Sequence, residues 1–167
     1  LVTDDRIKML SFTGSPSVGW NMKQNCGKKK ITLELGGNAG VVVADSADID
    51  QAVDKCLLGG FAYSGQVCIH AQRIYVHENI FEEFSKKFIK KVKALKKGDP
   101  LSDDTDISVL IDQGEADRIE EWVNEAVKDG AKILEGGNKQ EGFYEPTVLT
   151  NTKLDMKVCS LEIFGPV

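Results

Sequence analysis

The chain has 167 residues, 41% hydrophobic and 28% charged, with a formal net charge of -5. That composition excludes a disordered tail and a secreted mini-protein, leaves room for one domain plus part of another, and argues against a nucleic-acid partner. No apolar stretch approaches the roughly twenty residues of a membrane span, and Cys26, Cys56, Cys68 and Cys159 lack the close pairing of a metal site or a disulfide framework, so free thiols in a cytoplasmic protein are expected.

Residues 6–15 carry a strand pattern that stops at Gly14-Ser15, and PSVGWNMKQNCG suits a short helix with Pro16 in its first turn. KKKITLELGG is a second strand. NAGVVVADS follows as a third, whose continuous apolar run predicts burial on both faces. Asp45 to Asp48 supply caps for a helix with the core stripe Ile49, Ala52, Val53, Cys56, Leu57 and Phe61, and Gly65 lies beyond its end. RIYVH is a strand. The spacing of Ile80, Phe81, Phe84, Phe88, Val92 and Leu95 predicts a helix that runs to Gly98-Asp99-Pro100. After the polar linker DPLSDDTD comes another amphipathic helix, built on Ala116, Ile119, Val123 and Val127 with Gly130 as its stop. AKILEGG and FYEPTVLTN are short strands around a glycine turn. Strands alternating with helices predict an α/β fold with a mostly parallel sheet flanked by helices.

Several residues could carry chemistry. Glu34 sits between two leucines in LELGG, where an ionised carboxylate is either turned outward by strand alternation or used. Cys68, in the glycine-bounded loop GQVC, is either a small buried hydrophobe or a nucleophile; as a nucleophile it needs a base, cation or helix N-terminus nearby, and Glu34 could be that base. FTGSPSVG sits where a strand hands over to a helix, so Ser15 reads either as a helix cap or as part of a phosphate site; it is neither a Walker loop nor G-x-G-x-x-G. EIFGPV alone reads as a strand entering a turn. His70 is a packing residue or a second candidate base, and the stripe Lys86, Lys87, Lys90, Lys91, Lys93, Lys96 and Lys97 is a solvated helix face or an anionic-partner surface.

Together the motifs resemble the aldehyde dehydrogenase superfamily over essentially the whole chain. FTGSPSVG looks like its pyrophosphate-contacting turn, LELGG its glutamate motif, GQVCIHAQRIYV its nucleophile motif and EIFGPV its ribose-contacting motif. Order and spacing agree, with Cys68 lying 34 residues after Glu34 and Glu162 lying 128 after it.

The resemblance implies an aldehyde dehydrogenase-like catalytic domain and a nicotinamide-dependent oxidation of a small-molecule aldehyde to a carboxylic acid. Cys68 would form the thiohemiacetal and thioester, and Glu34, partly desolvated, would be the general base that activates water. Gly14, Ser15 and Gly36 would meet the coenzyme, NAD or NADP; Glu162 would accept bonds from the nicotinamide ribose and Phe164 would pack nearby. No metal is implied. Residues 1–35 would be the C-terminal piece of the cofactor-binding domain and 36–167 a catalytic domain truncated at its C-terminal end. The lack of an initiator methionine and the abrupt EIFGPV end suggest a piece of a longer homo-oligomeric parent. The family's oxyanion-binding asparagine and its adenosine-ribose residues come from upstream segments, so this piece alone is expected to be poorly active. Two positions depart from the commonest family text: Asn38-Ala39-Gly40 stands in place of Lys-x-Pro, and Leu161 stands before Glu162. A competing reading from another class is a non-catalytic interaction module that keeps the fold and uses its lysine face.

Overall fold

The computed structural model describes residues Leu1–Val167 and divides into two compact units, Leu1–Gly37 and Asn38–Val167.

In the first unit, strand β1 (Met9–Gly14) leads into helix α1 (Pro16–Asn25) and returns as strand β2 (Lys30–Leu35), parallel to β1. Pro16 opens α1 because its missing N–H costs nothing in the first turn. Leu35 and Leu33 face Gly19 of α1, where a side chain would strike Leu35, so a glycine permits the close approach of helix to sheet. Thr13 is in register with Glu34 and Gly14 with Leu35, so both strands end level with one another.

The second unit begins with strand β3 (Gly40–Val43), parallel to strand β4 (Arg73–Val76), with helix α2 (Ile49–Phe61) between them. Asp48 caps α2 by accepting the Gln51 N–H at 3.0 Å. Helix α3 (Phe81–Lys93) packs on α2 through Phe61, Phe84 and Phe88 in one core with Val53, Cys56, Val92 and Ile107. The expected stripe of α2 holds in full. That of α3 holds at its centre, but Phe81 is exposed. Helix α3 also stops at Lys93 rather than at Gly98, because the chain turns extended: Lys97 bridges Ile107, and the Asp106 carboxylate accepts the Lys96 N–H at 2.8 Å.

Helix α4 (Gln113–Lys128) carries a second core with Leu110, Tyr144, Met156, Val158 and Ile163. Ala116, Ile119 and Val123 are buried as expected, but Ala126 takes the place expected of Val127, which is 40% exposed. Strand β5 (Lys132–Glu135) pairs antiparallel with β8 (Val148–Thr150), and β6 (Lys139–Gln140) pairs antiparallel with β7 (Phe143–Tyr144). Pro146 lies between β7 and β8, so the single strand read in FYEPTVLTN is two. A one-turn helix, α5 (Lys157–Ser160), precedes the last segment.

The class is α/β. The parallel pairs are the longer ones, six and four residues, against three and two for the antiparallel pairs. The expected two-sided burial of β3 does not hold: Val42 is 80% exposed and its register partner Tyr75 is 45% exposed, because the helices cover only one face of the β3–β4 pair. No helix is long and apolar enough to cross a membrane.

Candidate active site

In the first unit, the level ends of β1 and β2 bring Gly14, Ser15, Glu34 and Gly36 to the carboxyl end of one parallel pair, the usual side for a ligand in such sheets. Glu34 alternates outward on β2 and is exposed, which corrects the expected partial desolvation: Leu33 and Leu35 take the face against α1. Ser15 is the N-cap residue of α1, yet its side chain makes no cap bond, and its hydroxyl lies 3.3 Å from that of Ser17. No acidic residue stands in the first turn. A free helix N-terminus with two hydroxyls and no carboxylate fits a phosphate group.

In the second unit, Cys68 is an exposed free thiol, whereas Cys56, like Cys26 of the first unit, is buried. Burial pushes the Cys56 thiol up, as befits a core residue. The chain ahead of Cys68 makes three successive left-handed residues, Tyr63, Ser64 and Gly65, with φ of 54°, 58° and 69°. The two that are not glycine cost about 1–2 kcal/mol each. Tertiary contacts hold them there. The Ser64 hydroxyl accepts the Ser108 N–H at 3.0 Å and donates to the Ser108 carbonyl at 3.3 Å, and Gln66 accepts the Ile111 N–H at 3.0 Å.

The loop that carries Cys68 meets the last segment directly. A Cβ on Gly65 would overlap the Gly165 carbonyl, so the glycine at 65 lets the two backbones touch, while the one at 165 makes room for Ile119. Four residues beyond Cys68, the Gln72 carboxamide donates to the carbonyls of Val158 and Leu161, both at 2.8 Å, and accepts the Ile163 N–H at 2.9 Å. Asn38 donates to the carbonyls of Cys159 and Leu161 at 2.8 and 2.9 Å, and its own oxygens are gripped by Arg73. Thus Cys68 and Glu162, distant in sequence, are held in one neighbourhood, with Glu162 half-buried and Phe164 partly exposed at a φ of 48°.

Ser64, Gln72 and Asn38 escape a sequence reading because their partners are 44 to 123 residues away. A cavity of about 380 Å³ elsewhere in this unit is lined by apolar groups such as Ile74, Phe84, Phe88 and Leu149; neither Cys68 nor Glu162 reaches it.

His70 is 4% exposed, and its ring nitrogens make no hydrogen bond of good geometry. Burial holds its imidazole below the ordinary range, partly offset by the Gly60 backbone. Its surroundings favour the neutral packing role over that of a base. The lysine face is largely committed to ion pairs: Lys87 lies 2.9 Å from both Asp50 and Glu83, which push its ammonium up to about 12. Lys91, Lys93, Lys96 and Lys97 pair with Asp54, Glu135, Asp104 and Glu145.

A family model described as the aldehyde dehydrogenase family matches residues 1–167. The chain belongs to the aldehyde dehydrogenase family. It is 46% identical over 99% of its length to a 3-sulfolactaldehyde dehydrogenase of Priestia megaterium and covers 35% of that protein. Aldehyde dehydrogenase 21 from Physcomitrella patens, solved in complex with the reaction product succinate, superposes with a TM-score of 0.95 at 45% identity, covering 99% of this chain and 35% of that one. A glyceraldehyde-3-phosphate dehydrogenase from Methanocaldococcus jannaschii complexed with NADP gives a TM-score of 0.96 at 39% identity, over 99% and 36%. The chain therefore spans about a third of the length of these aldehyde dehydrogenases.

Proposed function

We propose that this chain is the part of an aldehyde dehydrogenase that carries its nucleophile and its general base, and that the full-length enzyme oxidises a small-molecule aldehyde to a carboxylate. Cys68 Sγ, as thiolate, adds to the aldehyde carbon, and the carbonyl π electrons move onto oxygen. The Cys68 N–H donates to that oxyanion. NAD or NADP, when bound, supplies the acceptor for the hydride that leaves the Cys68 adduct as it becomes a thioester. Glu34 then takes a proton from water, the resulting hydroxide attacks the thioester carbon, and the C–S bond breaks to release thiolate and the carboxylic acid, which loses its proton to solvent as carboxylate. The α1 N-terminus with Ser15, together with Gly14 and Gly36, would hold the pyrophosphate side of the coenzyme. Glu162 would accept its ribose hydroxyls, with Phe164 alongside.

In this reading residues 1–35 complete a cofactor-binding domain and 36–167 form the catalytic domain. What supports it most is one observation: an exposed thiol on a strained, tightly braced loop whose Gly65 packs against the Glu162–Gly165 segment. The test is coenzyme reduction by the full-length enzyme across a panel of aldehydes. Cys68→Ser should abolish it while leaving coenzyme binding intact; turnover retained in Cys68→Ser would refute the assignment.

A further inference from the structure

We infer that Gln72 is a positioning residue for Glu162, and that its carboxamide does so by standing in for the peptide group of a neighbouring strand. The inference rests on the reading above that Glu162 binds the coenzyme ribose. Its geometric basis is independent of that reading.

The peptide groups on either side of Glu162 are the Leu161 carbonyl and the Ile163 N–H. Gln72 holds both, through Nε2 to Leu161 at 2.8 Å and Oε1 from Ile163 at 2.9 Å. A paired strand offers one N–H and one carbonyl to a residue's flanks in the same way. The carboxamide can sit only one way round, since Val158 and Leu161 present carbonyls that need a donor and Ile163 presents an N–H that needs an acceptor. With both flanking peptides fixed, the direction of the Glu162 Cα–Cβ bond is fixed.

Two further contacts make Gln72 the central member of this brace. Asn38 donates a second bond to the Leu161 carbonyl at 2.9 Å, and Arg118 donates to the Ile163 carbonyl at 2.7 Å. Asn38 is itself clamped by Arg73, the residue after Gln72, through bonds of 2.8 Å to its side-chain and main-chain oxygens. The segment that follows the nucleophile therefore sets the orientation of the ribose-binding carboxylate. Gln72 couples the two because it stands only four residues from Cys68.

The alternative is a purely structural role, in which Gln72 merely satisfies the last carbonyls of α5. A double-mutant cycle on the full-length enzyme separates the two, with Kd for NAD and for NADP measured by titration and KM and kcat measured alongside. Gln72→Leu is expected to weaken coenzyme binding about tenfold or more, because a misplaced group loses its contacts steeply with displacement. The KM for aldehyde and the rate of Cys68 alkylation in the coenzyme-free enzyme should stay within about twofold of wild type. Added to Glu162→Gln, Gln72→Leu should cost little more, since it acts through Glu162.

Gln72→Glu serves where Gln72→Leu does not fold. Its ionised carboxylate faces two carbonyls, and its protonated form can donate to one of them. Its coenzyme affinity relative to wild type should therefore rise as pH falls. Wild-type affinity in Gln72→Leu, additive losses in the cycle, or a pH-independent affinity ratio for Gln72→Glu would overturn the inference. Unchanged affinity in Glu162→Gln alone would instead overturn the ribose reading, and the inference with it.

Discussion

Gly65→Ala is the substitution that most sharply probes the contact between the Cys68 loop and the Glu162 segment. Gly65 has a φ of +69°, where an alanine costs about 1–2 kcal/mol. The added methyl would overlap the Gly165 carbonyl and lie 3.0 Å from Pro166 N. Carbon–oxygen contacts ordinarily hold at about 3.3 Å or more, so one segment must retreat by about 1 Å. Gly165 cannot yield easily: it is buried against Ile119, and the Pro166 carbonyl is held by the Thr147 N–H at 2.8 Å. Forced overpacking of this kind costs about 1–3 kcal/mol. With the left-handed penalty the total is about 2–5 kcal/mol, and a shift of about 1 Å between the proposed nucleophile and the proposed coenzyme site lowers kcat/KM roughly 100-fold. Chemical denaturation and steady-state kinetics of the full-length enzyme measure the two effects. A variant within about 0.5 kcal/mol of wild-type stability that turns over at the wild-type rate would refute the reasoning.

A small alkylating reagent should modify Cys68 well before Cys26 or Cys56, read by peptide mass mapping over time; equal rates would deny the loop its special exposure. His70 makes stability depend on pH. Burial lowers its folded-state value from 6.5, so the unfolded chain binds a proton that the folded one refuses. Its contribution is complete above pH 6.5 and falls as pH drops below that, by at most about 1.4 kcal/mol per pH unit, until the folded imidazole titrates too. His70→Leu should flatten the slope in that window, and an unchanged slope in denaturation free energy would assign it to other groups.

The sequence makes legible whatever depends on near neighbours. The 3.6-residue stripes of α2 and α4, Pro16 at the start of α1 and Asp48 as a cap are all visible in the text, because each is decided within a turn or two. Glu34 illustrates the limit: alternation correctly predicts an outward side chain, while the chemistry proposed for it is signalled only by its company with Cys68 and Glu162. The early end of α3 was hidden, since Asp106 and Ile107 draw residues 96–97 into extended pairing that no helical periodicity reveals. The same holds for Ser64, Gln72 and Asn38. Their partners are carbonyls and N–H groups, which every residue has, so nothing in the side-chain text marks them.

The central claim is that Cys68 carries the acyl group and Glu34 removes it. The most direct measurement is mass spectrometry of full-length Glu34→Gln quenched after mixing with coenzyme and an aldehyde. With hydrolysis slowed by about 10²–10⁴-fold, the account predicts one acyl adduct, located on the peptide that contains Cys68, and none in Cys68→Ser. An adduct on another residue, or unslowed release of carboxylate with no adduct at all, would contradict it.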